Sequence, residues 1–187
     1  MNDILDEIFA LVCSQDPSHS WACGGEPLPF CQRCTGLYVG AAIALALHLL
    51  VRPPLDNRLR QLHALLLLQM IPFGFHLVPQ GAVLRTLSGL LFSFGLVGFL
   101  WLLPATHFRL RTTNEPWRFT AYVLTAAASL IFVLAAAAWG GGAVGRILSV
   151  AGLAGLAGLG CLTLANLAKC LCAGVEGLRG WRRRTAS

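Results

Sequence analysis

Long apolar stretches, separated by short polar breaks, dominate the sequence from residue 35 onward. A helix needs about 20 mainly apolar residues to cross the hydrocarbon core of a bilayer. Five stretches approach that length, and the breaks between them contain the Pro and Gly clusters typical of turns. The pattern therefore predicts an all-α, polytopic membrane helix bundle with about five transmembrane helices: 35–51, 62–78, 83–103, 119–139 and 143–168.

The 34 residues before the first predicted span have a different pattern. Ile4, Ile8, Leu11 and Val12 recur at helical spacing, which predicts a short amphipathic helix on or near the membrane surface. The segment after it is rich in cysteine, and its Gly and Pro residues predict a turn or irregular loop. The predicted organisation is an N-terminal helix with a Cys-rich extramembrane loop (1–34), a transmembrane bundle (35–168) and a basic tail (169–187).

Composition excludes an ordinary soluble domain. The chain is 56% hydrophobic and 12% charged, whereas soluble domains average about 45–50% apolar and about 25% charged residues. The bilayer is therefore the expected partner.

Basic residues are distributed unevenly between the two sides of the predicted bundle. Eleven of the 14 lysines and arginines lie on the side that holds the C-terminal tail. The positive-inside rule then predicts a multi-pass protein of the bacterial inner (cell) membrane, with its N-terminus outside and its C-terminus in the cytoplasm. The basic tail fits an anchor at anionic lipid, so no nucleic-acid partner is expected.

Four of the seven cysteines precede the first predicted span. Pro29 stands where a helix could begin, and Cys31 and Cys34 would then share a face of its first turn. Such a pair can supply two ligands of a tetrahedral metal site, or it can cycle between dithiol and disulfide.

The stretch from Pro27 to Gly40 (PLPFCQRCTGLYVG), together with the upstream Cys13, resembles a family of multi-pass membrane proteins filed as domain of unknown function 2085. The pattern of that family here is Cys-x-Arg-Cys-Thr-Gly, followed by an apolar residue, Tyr, an apolar residue and Gly. A second similarity is Leu84–Leu90 (LRTLSGL) at the start of a later span. The resemblance implies a membrane protein and no particular activity.

Two positions depart from the pattern of that family. Ser14 stands where the family has a His directly after its first Cys. Phe73-Gly74 follows Pro72 where the family has Asp-Gly, so this chain lacks that acidic residue.

The leading hypothesis for the Cys-rich segment is a metal site, with zinc as the default ion for such ligands. The family pattern offers three Cys and one His, and this chain replaces the His. We therefore expect Cys13, Cys31 and Cys34 as ligands, with Cys23 or His19 as the fourth.

Two alternatives use the same residues. In a membrane thiol–disulfide oxidoreductase, Cys31 and Cys34 would be the catalytic pair, exchange disulfides with Cys13 and Cys23, and pass electrons to a quinone. In a structural or lipid-interacting protein, two disulfides would hold the loop on the membrane surface. Whether the protein is an enzyme stays open at this point.

Arg33, Arg85 and Arg146 are the basic residues on the predicted outer side. Guanidinium groups bind phosphate well, so these residues form a candidate site for an anion or an anionic lipid headgroup. Snorkelling to the membrane interface is the alternative.

Polar residues also interrupt the spans. Gln69 and His76 share one face of the second predicted span, where Pro72 predicts a kink. They form a candidate intramembrane polar site, because polar groups in a bilayer usually face the bundle interior. His48 and His63 lie near the predicted cytoplasmic ends, where we expect interfacial placement.

Overall fold

The computed structural model describes residues 2–75, 77–107 and 115–185. Helices make up most of the described chain, and one short antiparallel hairpin precedes the first membrane helix. The elements in chain order are α1 (Asn2–Ala10), a 3-10 turn (Pro17–His19), β1 (Ser20–Cys23), β2 (Glu26–Cys31), α2 (Gln32–Cys34), a π-helical turn (Thr35–Val39), α3 (Gly40–Leu50), α4 (Asn57–Leu68), α5 (Met70–Gly74), α6 (Ala82–His107), α7 (Pro116–Trp139) and α8 (Gly142–Thr185).

Four helices in the described part of the chain are, by length and composition, able to cross a membrane. The first joins α2, the π-helical turn and α3, and the others belong to α6, α7 and α8. The predicted class, a mostly helical membrane bundle, is confirmed, but the described residues hold four continuous helices of spanning length instead of about five. They are Gln32–Leu50, Ala82–Leu102, Trp117–Trp139 and Gly142–Ala173.

The predicted span 62–78 is divided into α4 and α5 at Gln69. Proline has no N–H group, and its ring collides with the carbonyl of the residue four positions earlier. For Pro72 that carbonyl belongs to Leu68, where α4 ends. The chain therefore continues as a second short helix, and the predicted kink lies before the proline.

Together, α4 and α5 run antiparallel to α6. His63 of α4 packs against Gly98 of α6, and farther along the Gln69 side chain donates to the Ser88 carbonyl at 3.1 Å. Near the end of α5, a backbone carbonyl accepts a hydrogen bond from Arg33, at the start of the first membrane helix, at 3.4 Å. The divided segment thus extends along the bundle from one end to the other.

Glycines bring the first membrane helix close to its neighbours. A Cβ at Gly36 would overlap the backbone of Thr86 in α6, and a Cβ at Gly89 would overlap the backbone of Arg33. Gly155 of α8 contacts the backbone of the first membrane helix at Tyr38, from another side. Small residues allow such close backbone approach in membrane helices, so the first membrane helix packs between α6 and α8.

The segment predicted as a turn or irregular loop is a hairpin, with the turn at its tip. Cys23 pairs with Glu26 across a turn in which Gly24 and Gly25 have φ values of 66° and 87°. Glycine adopts such positive φ values without steric cost, and the backbone groups on either side then pair as strands. We call the end of the bundle that carries this hairpin the hairpin end; Trp21 Nε1 anchors it there by donating to Thr86 Oγ1 at 2.8 Å.

Helix α1 lies at the predicted position and packs through an aromatic contact. The Phe9 ring is fully buried and lies 4.7 Å from the Phe30 ring and 5.5 Å from the Tyr38 ring, centroid to centroid. Ile4 and Leu11, which belong to the predicted apolar face, are 65% and 85% exposed. Phe9, with Leu5 packed against the same core, therefore holds α1 on the bundle, whereas Ile4 and Leu11 do not.

His48 and His63 are buried, which makes their predicted interfacial placement wrong. They lie at the end of the bundle away from the hairpin, with ring centroids 5.6 Å apart. His63 Nε2 and the Tyr122 hydroxyl share a hydrogen bond of 2.9 Å, and His48 Nδ1 bonds to the Ala44 carbonyl at 2.8 Å. Gly98 leaves the space that the His63 ring occupies, so the imidazole can enter the core.

Candidate metal centre

Two chain segments deliver the cysteines to one place. Strand β2 ends at Cys31, which caps the helix that begins at Gln32, so Cys34 follows one turn later. The helix therefore begins at Gln32. The sequence predicted a start at Pro29, three residues earlier. Cys13 comes from the end of α1, where its N–H donates to the Phe9 carbonyl at 2.8 Å. The aromatic contact of Phe9 thus also positions Cys13.

Three sulfur atoms, those of Cys13, Cys31 and Cys34, lie within 4.8 Å of one another. In tetrahedral zinc sites the Zn–S bond is about 2.3 Å, which places two sulfurs about 3.8 Å apart. The observed spacing needs only small side-chain adjustments to reach that value. The three thiols therefore form a group that could hold a metal ion.

Hydrogen bonding within this group favours a thiolate. Bonds from the Cys31 side chain first, and from the Cys34 side chain second, hold the pKa of the Cys13 thiol well below its ordinary value. The Cys31 N–H also donates to Cys13 Sγ at 3.3 Å. Because thiolate is the form of cysteine that binds metals and attacks disulfides, the environment of Cys13 suits either chemistry.

Neither of the two residues considered as a fourth ligand belongs to the three-sulfur group. Cys23 is outside the three-sulfur group; it is buried, and its Sγ lies 3.8 Å from the Ala137 carbonyl of α7. That burial raises the pKa of the Cys23 thiol. His19 is also outside the group, and its Nδ1 lies 3.1 Å from Asp16 Oδ2 on the 3-10 turn. Hydrogen bonds from Ser18, more than the nearby His19, lower the pKa of the Asp16 carboxyl.

A pocket of about 290 Å³ adjoins the thiol group. We call it the arginine pocket, because both Arg33 and Arg85 line it. Arg146, the third arginine predicted for an anion site, lines a separate cavity of about 190 Å³ beside the hairpin. The residues that line the arginine pocket are Ser14, Asp16, His19, Cys31, Gln32, Arg33 and Arg85.

The predicted intramembrane polar site is only partly visible. Among the described residues, Gln69 Oε1 is buried without a hydrogen-bond partner, while its Nε2 binds α6. His76 lies outside the described residues. The buried polar cluster of His48, His63 and Tyr122 was not predicted. Its signal in the sequence is the two histidines in otherwise apolar segments, which sequence alone cannot place inside the bundle.

The model of one protein family matches residues 13–132 of the chain, and its description reads "Predicted membrane protein (DUF2085)". The matched range contains all three clustered thiols and both arginines of the arginine pocket. No curated protein and no solved structure matches the chain.

Proposed function

The chain belongs to the DUF2085 family of predicted membrane proteins, whose description states no activity, and we propose from its geometry that it is a membrane zinc-binding protein. The observation that carries the proposal is the meeting of three cysteine sulfurs, from two separate chain segments, within 4.8 Å. Zinc fits because thiolates are its preferred ligands in sites of this kind. A metal there would link the end of α1 to the start of the first membrane helix.

His19 is the proposed fourth ligand. It lines the arginine pocket together with Cys31, and its Nδ1 pairs with the Asp16 carboxylate at 3.1 Å, which leaves Nε2 for a metal. Histidine ligands typically pair their second ring nitrogen with a carboxylate in this way. Cys23 is less suited, because its sulfur is directed at α7.

Elemental analysis tests the metal proposal. The protein is purified in mild detergent without chelator, and we expect about one zinc per chain. The variants C31S and C34S are expected to lose most of that zinc, because three-thiolate binding fails when one ligand is removed. C161S is the matched control, since Cys161 is exposed on α8 outside the group. A folded wild-type protein without any transition metal would refute the proposal.

A second comparison tests the fourth ligand. Zinc affinity is measured by competition with a chromophoric chelator for H19A and C23S. We expect H19A to bind zinc more weakly by at least about 10–100-fold, because the loss of groups that only orient the ligands already costs that much. C23S is expected to retain wild-type affinity, and a loss in C23S alone would assign the fourth position to Cys23.

Thiol–disulfide exchange is the competing function, and the lowered pKa of Cys13 favours it. The arrangement is less complete for this chemistry, because Cys23 stands outside the group and the three remaining thiols cannot all pair. An oxidoreductase predicts a mixed disulfide with a partner in C34S cells and reduction of a quinone by the purified wild type. A metal-free protein with both properties would make the redox function the better one.

A further inference from the structure

The arginine pocket carries two positive side chains from different membrane helices. Arg33 belongs to the start of the first membrane helix and Arg85 to the first turn of α6, and both are partly buried. We propose that this pocket binds a phosphate-type oxyanion between the two guanidinium groups. The inference goes beyond the zinc proposal and does not depend on a bound metal.

Both guanidinium groups retain donors for a ligand. Arg33 Nη2 donates to Gln80 Oε1 at 2.7 Å and to a carbonyl of α5 at 3.4 Å. Arg85 Nη1 donates to Gln32 Oε1 at 3.5 Å. In the described part of the chain these contacts use one terminal nitrogen of each arginine, whereas a guanidinium carries five N–H donors. All of these acceptors are uncharged, so both positive charges remain to attract an anion.

The acidic residue on the pocket wall does not cancel these charges. Asp16 Oδ1 accepts hydrogen bonds from the backbone N–H and the hydroxyl of Ser18, at 2.9 and 2.7 Å. Its Oδ2 pairs with His19. The carboxylate is therefore engaged with its own turn, and the pocket wall holds two guanidinium groups and one carboxylate. Cys13, whose environment favours a thiolate, does not line the pocket, so the charges on the pocket wall favour an anion over a cation.

The shape and donors of the pocket indicate a phosphate group. Guanidinium groups bind phosphate through two parallel hydrogen bonds, and two of them can surround its oxygens. A volume of about 290 Å³ admits a phosphate with part of an attached group. The pocket lies at the ends of two membrane helices, where lipid phosphates lie, so the ligand is either an anionic lipid headgroup or free phosphate.

Two probes distinguish these sources. Inorganic phosphate is titrated calorimetrically into the protein in zwitterionic detergent, and fluorescent phosphatidylglycerol is titrated in the same detergent. We expect saturable binding of at least one probe. Binding of the lipid alone identifies a headgroup site, whereas binding of inorganic phosphate identifies a site for the free anion. Absence of binding for both probes would overturn the proposal.

Substitution of Arg85 locates the binding. Within the described residues, the Arg85 side chain makes one long hydrogen bond, so R85Q is expected to fold, which its melting temperature checks. We expect R85Q to weaken anion binding about tenfold. R85K should weaken it less, because lysine keeps the positive charge but cannot donate two parallel hydrogen bonds as a guanidinium does. R146Q is the matched control, with the same charge change in the separate cavity, and it should bind like the wild type.

Equal binding by R85Q, R146Q and wild type would overturn the assignment to this pocket. If R85Q does not fold, anion binding by R85K is the deciding measurement. Binding by R85K equal to that of the wild type would exclude recognition of the anion by paired hydrogen bonds from the Arg85 guanidinium. Because zinc content is measured separately on each variant, loss of the anion and loss of the metal are distinguishable.

Discussion

At the residue scale, the environment of each cysteine depends on where its own element ends. Cys31 caps a helix and Cys34 lies one turn later, so local spacing already brings these two together. Cys13 joins them because Phe9, one turn earlier on α1, is buried against the bundle. Cys23 is in the same stretch of sequence, yet the hairpin directs its sulfur to α7. The spacing of Cys31 and Cys34, together with the family resemblance for Cys13, therefore predicted the three thiols that meet, but it left the position of Cys23 open.

One buried hydrogen bond permits a test at the same scale. Tyr122 and His63 share a bond of 2.9 Å in a region where both side chains are at most 3% exposed. Removal of the hydroxyl in Y122F leaves the imidazole nitrogen unpaired, which costs about 1–3 kcal/mol. We expect a lower melting temperature in detergent, measured by tryptophan fluorescence.

The control for Y122F is S129A on the same helix. The Ser129 hydroxyl donates to the carbonyl of Ala126, three residues earlier, so its removal leaves no buried donor unpaired. Equal destabilisation by Y122F and S129A would contradict a specific contribution of the tyrosine–histidine bond.

At the element scale, packing depends on small residues and on one proline. Gly36 and Gly89 face each other's helix backbones, which sets the distance between the first membrane helix and α6. Pro72 ends α4 at Leu68 and divides the second predicted span. Hydropathy counts the apolar residues in that segment but does not locate a break at Gln69, three residues before the proline. The sequence therefore predicted one more continuous spanning helix than the described residues hold.

Alanine at Gly36 tests the close approach. A Cβ there overlaps backbone atoms of Thr86, which cannot move aside as a flexible side chain can. We expect G36A to destabilise the bundle by at least about 1–3 kcal/mol, measured as the loss of helicity on titration with a denaturing detergent.

Gly160 offers the matched control, because nothing lies within 4 Å of the position that its Cβ would take. G160A should be neutral or slightly stabilising, since alanine favours a helix over glycine by about 1 kcal/mol. A G36A variant as stable as G160A would show that the helices do not need this contact.

At the scale of the whole molecule, the two ends of the bundle differ in their chemistry. The hairpin end holds the thiol group and the arginine pocket. The opposite end holds the buried cluster of His48, His63 and Tyr122. The asymmetry of basic residues in the sequence predicts that the hairpin end faces outward.

Reporter fusions test this orientation. A fluorescent protein that folds only in the cytoplasm, fused after Ser187, is expected to be active, because the basic tail favours the cytoplasmic side. Alkaline phosphatase, active only outside the cytoplasm, is expected to be active when inserted at Gly81, an exposed position between α5 and α6. The reverse pattern would place the thiol group in the reducing cytoplasm and refute the predicted orientation.

The sequence by itself determined the membrane class, the positions of the apolar helices and the thiols available for chemistry. These properties depend on local composition and spacing, because a bilayer requires long apolar helices whatever their neighbours are. Tertiary structure alone decided that Cys23 and His19 lie outside the three-sulfur group, that Arg146 lines a separate cavity, and that two histidines are buried. Each of these depends on contacts between residues far apart in the chain, such as those of Cys23 with α7 and of His63 with Gly98 of α6.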